Sequence, residues 1–275
     1  MARKKKRLNK KIIILLALII GVFLIGGIGL WIIHQPKDPE IYAERAANFV
    51  KEGDYRSAVR DYSIAVNAAA DADKPKYLVR LADVLLEWYQ KDKSLTASTR
   101  TRLFYTARDK LLEALRYNPK YLDAQRRLTR IEFTIGRLQG DMERCIRAAD
   151  DLLKLDPNDE ETLYKRAFAR AQLAKTREIY LTPALEDFAR LIKIAPQKER
   201  YWLGLISLKA KSLENDPRKN EQIEELYRKA LNANPKAVNI RIFYARFLER
   251  TDRKDEALKQ LLQATKLQPN DAEPY

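Results

Sequence analysis

The sequence predicts an all-α protein: a stack of antiparallel helix pairs preceded by one apolar helix. Three observations carry this. Glycine is scarce, with only eight in 275 residues, and four of them (Gly21, Gly26, Gly27, Gly29) fall in one short segment. Ala, Leu, Lys, Arg and Glu dominate the rest, which is helix-forming composition. Residues 12–33 form a continuous apolar run. Beyond it, one phrase of small and large apolar residues recurs at a period of 34–39 residues.

The apolar run is the first element. Its 22 residues carry no charge, and as a helix they span roughly 33 Å, enough for a hydrocarbon core of about 30 Å. A signal peptide has a shorter apolar region and a small-x-small cleavage site. Here the run continues into Leu30-Trp31-Ile32-Ile33-His34-Gln35-Pro36, so an uncleaved anchor is predicted. Seven cations (Arg3, Lys4, Lys5, Lys6, Arg7, Lys10, Lys11) precede it, whereas Lys37 beyond it is answered by Asp38 and Glu40. Cationic flanks stay in the cytoplasm, which puts residues 1–11 inside and everything after His34 outside. Residues 34–38 read as a linker. The formal net charge is +15, and removing the basic head leaves +8 for the remainder.

The repeat follows. Ala107, Leu111, Ala114 and Pro119 make one copy; Cys145, Ala149, Leu152 and Pro157 the next; then Ala184, Phe188, Leu191 and Pro196. Ile223, Tyr227, Ala230 and Pro235 follow, and last Ala257, Leu261, Ala264 and Pro269. Ala58, Tyr62 and Ala65 form an earlier copy without the proline. Spacings of three and four place each set on one helix face, and the proline ends the helix. Upstream of each key residue lies a small residue on a preceding helix: Ala46, Ala82, Thr129, Ala167, Gly204 and Ala245. Small side chains at both places let two antiparallel helices cross closely. One such pair cannot bury its apolar face alone, so neighbours must stack.

On these residues the chain resembles the tetratricopeptide repeat (TPR) family. The copies nearest the pattern are Tyr42…Ala46…Phe49…Gly53-Asp54-Tyr55…Ala58…Tyr62…Ala65 and Tyr244-Ala245…Leu248…Ala257…Leu261…Ala264…Pro269. The resemblance implies a TPR-type right-handed superhelical solenoid of about six repeats over 39–275. The small positions are twelve apart in the first and last units, as the family pattern asks, but 25, 16, 17 and 19 apart between them. This excess falls between the two helices of a unit, on one rim. In units three to five it is expected to be added helical turn; only Lys91–Arg102, rich in Ser and Thr, reads as a true loop. The registers of the first helices in units three and five stay open by two residues. Asp38-Pro39, Thr182-Pro183 and Asp216-Pro217 read as helix starts, each an N-cap with Pro behind it.

Catalytic and cofactor chemistry finds no support. One His and one Cys cannot make a Cys/His zinc site or an internal disulfide. No phosphate-cradling glycine loop, H-E-x-x-H or G-x-S-x-G occurs, and the single His34 sits at the edge of the apolar run. No catalytic, cofactor or metal residue is therefore assigned, and the chain reads as a non-enzyme. Cys145 stands where Ala usually does and reads as a buried structural thiol. Asp159-Glu160-Glu161 reads as a helix start. The arginines at 126, 127, 130, 137, 241, 246, 250 and 253 are interleaved with acids, so they read as a solvated face and not as a nucleic-acid surface.

The resemblance implies a peptide groove along the first helices. Tyr164, Lys165, Phe168, Tyr201, Trp202, Phe243 and Arg246 are its candidates by helical position, and the alternative for each is packing between repeats. Family members that clamp chaperone C-termini carry Asn just after the first small residue; here it is Ala47, so that role is disfavoured. The function expected is a membrane-anchored protein-interaction scaffold in a bacterial cytoplasmic membrane, its solenoid periplasmic, serving envelope assembly, secretion or quality control. Two alternatives stay open: an organellar import receptor with a cytosolic solenoid, and the N-terminal part of an enzyme. The final pair lacks a capping helix and should expose part of Ile242, Phe243, Leu258, Leu261 and Leu262. Self-association through that end, capping by a partner, or continuation of the chain are the outcomes expected of it.

Overall fold

The computed structural model describes residues 38–267. The apolar run, its basic head and most of the linker lie outside these residues, as does Pro269. Among the described residues there are twelve α-helices and no strand. No helix among them is long and apolar enough to cross a membrane.

The helices form six consecutive pairs. They are α1 (Pro39–Glu52) with α2 (Tyr55–Ala68), α3 (Lys74–Lys91) with α4 (Ala97–Tyr117), and α5 (Leu122–Gln139) with α6 (Glu143–Leu155). Then come α7 (Glu160–Leu173) with α8 (Leu181–Ile194), α9 (Glu199–Ser212) with α10 (Lys219–Ala233), and α11 (Val238–Arg250) with α12 (Lys254–Leu267). The prolines act as the sequence predicts. α4, α6, α8 and α10 each stop two residues before Pro119, Pro157, Pro196 and Pro235, because the residue preceding a proline is pushed out of the helical region. Between α1 and α2 the turn is closed by Gly53 at φ 80°, a left-handed C-cap that favours glycine, and by Asp54, whose carboxylate accepts from the Ser57 amide at 3.1 Å.

The small residues meet where the helices cross. Ala46, Ala58, Ala82, Ala107, Thr129, Cys145, Ala167, Ala184 and Ala245 are all buried. Unit five departs from the predicted register. In four of the other five first helices (α1, α5, α7 and α11) the crossing residue lies seven after the first helical residue, and in α9 that position is the buried Ile206, not Gly204. Ile206 shares a core with Ile223 and Tyr227 of its partner helix. Gly204 faces backwards instead, where a Cβ would overlap the Phe188 ring on α8.

The excess residues also differ from expectation. In unit three they are added helix: α5 has 18 residues against 14 in α1. In units four and five they are linkers. Residues 174–180 run through a turn and a short 3₁₀ stretch (Glu178–Tyr180), and residues 213–218 form a turn before α10. Within Lys91–Arg102 only residues 92–96 are non-helical. The Ser/Thr cluster that reads as loop is largely a cap, with the Thr96 hydroxyl accepting from the Thr99 amide at 3.2 Å. Asp38 caps α1 as predicted, accepting from the Glu40 amide at 2.9 Å. Thr182 lies inside α8, which begins at Leu181, and Asp216 acts earlier than a helix cap, accepting from the Arg218 amide at 2.7 Å.

Charges stitch the units together. Glu40 on α1 accepts from Lys76 (2.6 Å), Arg80 (2.9 Å) and the Tyr77 hydroxyl (2.9 Å) on α3. Glu224 on α10 accepts from Arg253 (2.6 Å) and from the Tyr244 hydroxyl on α11 (2.9 Å). Arg126 of α5 reaches Asp156 (2.7 Å) and Asp159 (2.9 Å), Arg127 reaches Asp83 (2.6 Å), and Arg130 lies 3.4 Å from Glu161. Arg126, Arg127 and Arg130 are thus brackets between repeats. Within the stack, Asp187 is 5% exposed and is held by Arg166 (2.6 Å) and Arg170 (2.8 Å).

Candidate ligand cleft

The first helices of units three, four and five border a cleft of about 490 Å³. Phe133 of α5 lines one side. Glu160, Glu161, Tyr164 and Lys165 of α7 form the middle, and Lys198 and Arg200, at the start of α9, the other side. Each α7 residue is placed by helical geometry: Glu161, Tyr164, Lys165 and Phe168 recur at three and four on one face. Asp159 starts the helix, its carboxylate accepting from the Thr162 amide at 2.9 Å, which leaves Glu160 and Glu161 in the first turn.

The floor is aromatic. Phe133 and Phe168 meet edge to face with centroids 5.4 Å apart, and Tyr164 lies 6.4 Å from Phe168. The walls are charged. Glu160 accepts from Lys198 and from the Tyr201 hydroxyl, and these donors hold its carboxyl below the usual range. Glu161 is likewise lowered, first by Lys165 and also by Arg130. Both acids are therefore ionised and answered. Arg200 has no carboxylate in direct ion-pair contact among the described residues, Glu160 acting on it only at longer range; its guanidinium lies 4.4 Å from the Tyr164 ring centroid and donates to the Tyr201 hydroxyl at 3.1 Å. The Tyr164 ring holds this cation by a cation–π contact at the lining of the cleft. Such a site suits a ligand with a carboxylate beside an apolar or aromatic group.

Of the seven predicted groove residues, Tyr164 and Lys165 line this cleft and Phe168 supports its floor. Tyr201 is fully buried beneath it. Trp202 is also buried, donating its indole N–H to the Pro196 carbonyl at 2.7 Å. Phe243 and Arg246 sit apart on α11, exposed, with the guanidinium 5.5 Å from the ring. The cleft residues that sequence reasoning passes over are Phe133, Glu160, Glu161, Lys198 and Arg200. No cluster of His, Cys, Asp and Glu among the described residues could hold a metal ion. Cys145 is buried and its thiol is pushed up to about 12 by burial, so it is a core residue without nucleophilic character.

The fold defined by these pairs is that of a TPR-type solenoid, and comparison with known proteins agrees. A tetratricopeptide repeat family model matches residues 218–275. No curated protein matches the chain. Among solved structures, the C-terminal part of a TPR repeat-containing protein from Cytophaga hutchinsonii is similar over 89% of each chain, with a TM-score of 0.62 at 13% identity. YrrB, described as a TPR protein with an unusual peptide-binding site, is similar over 76% of this chain and 93% of its own, with a TM-score of 0.52 at 10% identity. MamA is similar over 66% of this chain and 99% of its own, with a TM-score of 0.50 at 17% identity. At these identities the likeness is one of fold.

Proposed function

We propose that this chain is a non-catalytic, membrane-anchored scaffold whose cleft between α5, α7 and α9 holds an extended protein segment. The observation that carries the reading is Arg200: a cation over the Tyr164 ring, without a carboxylate in direct ion-pair contact among the described residues, beside an aromatic floor. The segment that fits it presents Asp or Glu next to a large apolar side chain. YrrB supplies a precedent for a peptide-binding site on this fold. The anchor is residues 12–33, with the head 1–11 in the cytoplasm and the solenoid on the periplasmic side of the cell inner membrane. There it serves envelope assembly, secretion or quality control. Its partners are the bilayer, a protein segment in the cleft and a second copy through the last helix pair.

Fluorescence anisotropy on the full chain in nanodiscs tests the cleft. Labelled nonapeptides pairing Asp or Glu with Leu or Phe should bind, and those with Lys in place of the acid should not. Arg200→Ala should weaken binding about tenfold, the loss of one charge-assisted contact of about 1.5 kcal/mol. Equal binding of acidic and basic peptides would overturn the assignment. Deleting residues 1–33 should release the chain from the membrane fraction; retention of the shortened chain would overturn the anchor.

A further inference from the structure

The last helix among the described residues is α12. Leu258, Leu261 and Leu262 are exposed on it at 56%, 43% and 53%, in a stripe that also carries Asp255 and Lys266. Neither Asp255 nor Lys266 has an ion-pair partner among the described residues, whereas Glu256 beside them is taken by Arg253 at 2.6 Å. The first helix among the described residues, α1, is different. The exposed side of α1 is Ile41, Glu44, Arg45, Asn48 and Lys51, polar apart from one residue. Three leucines gain little against such a face, so α12 of one copy is not matched by α1 of another, and open head-to-tail chains are disfavoured.

We infer that two copies of this chain pair across a two-fold axis through antiparallel α12 helices. One register satisfies the whole stripe. With the two-fold axis between Gln260 and Leu261, Asp255 lies level with Lys266 of the second copy, while Leu258 and Leu261 lie within one residue of that copy's Leu262 and Leu261. The acidic first turn and basic last turn of α12 then face each other at both ends, and the helix dipoles oppose. A parallel pair would set like charges together at each end. This inference rests on the proposed self-association and is independent of the cleft and of the anchor. A single-helix contact is small, so the pair is a weak, reversible one.

Disulfide trapping on the full chain in nanodiscs carrying two copies reads the geometry, with sedimentation in detergent reading the stoichiometry. The native Cys145 is buried and silent. Leu261→Cys should cross-link to itself under mild oxidation. Asp255→Cys and Lys266→Cys should not do so singly, since the two equivalent ends lie about 16 Å apart, beyond disulfide reach. A mixture of the two should cross-link. Leu262→Glu should make the chain monomeric with unchanged helical circular dichroism. A monomeric native chain would overturn self-association itself. A dimer lost on Leu262→Glu but without a Leu261→Cys cross-link, or with cross-links at each single end, would overturn only the antiparallel mode. A dimer indifferent to Leu262→Glu would overturn the assignment of α12.

Discussion

Gly204 shows what one missing methyl does in this stack. An added Cβ meets the Phe188 ring, so Gly204→Ala should destabilise the protein by about 1–3 kcal/mol in urea unfolding, although alanine is the better helix former. Phe188→Leu in the same background should recover part of that loss. Simple additivity of the two changes would count against the contact. The same residue explains what the sequence conceals. Relative to Ala167, the candidates Tyr164, Lys165 and Phe168 stand three before, two before and one after. Counting from Gly204 selects Tyr201 and Trp202 by the same rule; counting from Ile206 puts Leu203, Gly204 and Ser207 on that face and Arg200 at the place of Glu161. Periodicity alone cannot choose between these registers, because Gly204 is small for a reason belonging to the preceding unit.

At the scale of helices, the fold is legible wherever a proline or cap ends an element and illegible where side chains decide. α4, α6, α8 and α10 end where their prolines require, yet the linkers at 174–180 and 213–218 carry enough helix-forming residues to read as helix. The acids of α7 look like ordinary first-turn residues until Lys198, Tyr201 and Lys165 are seen to converge on them. Junction carboxylates also make stability depend on acid. Glu40 is lowered to about 2, first by Lys76 and then by Arg80 and Tyr77; Glu224 is lowered to about 2, chiefly by Arg253. A carboxyl depressed on folding stabilises fully above its unfolded value of about 4.5 and loses that contribution as the pH falls toward 2. The thermal unfolding temperature should therefore fall as the pH drops from 4.5 to 2. Glu224→Gln should cost about 1 kcal/mol at pH 7, allowing for solvent screening, and flatten this acid limb. An unchanged slope in the variant would show that Glu224 is not the titrating group.

Across the whole molecule, neighbour-to-neighbour contact is the rule, as in any stacked repeat array. The repeat period and the small residues make this architecture readable from the chain alone, whereas the cleft needs three successive units in place before it exists. The carboxylate brackets between units have a mechanical consequence. Glu40 with Lys76 and Arg80, Arg126 with Asp156 and Asp159, and Glu160 with Lys198 each span a junction, and each is partly open to water. Ions screen such bonds over about 10 Å at 0.1 M salt, while the buried alanine crossings are indifferent to them. Salt should then slacken the array without melting it. Small-angle scattering should show the radius of gyration rising between 0.05 and ~1 M salt at constant helix content, and an invariant radius would mean that packing alone sets the curvature. Since Lys198 and Glu160 lie on the walls of the cleft, the array should then act as a spring whose stiffness is tuned by electrolyte, the width of its jaw following the tension in the coil.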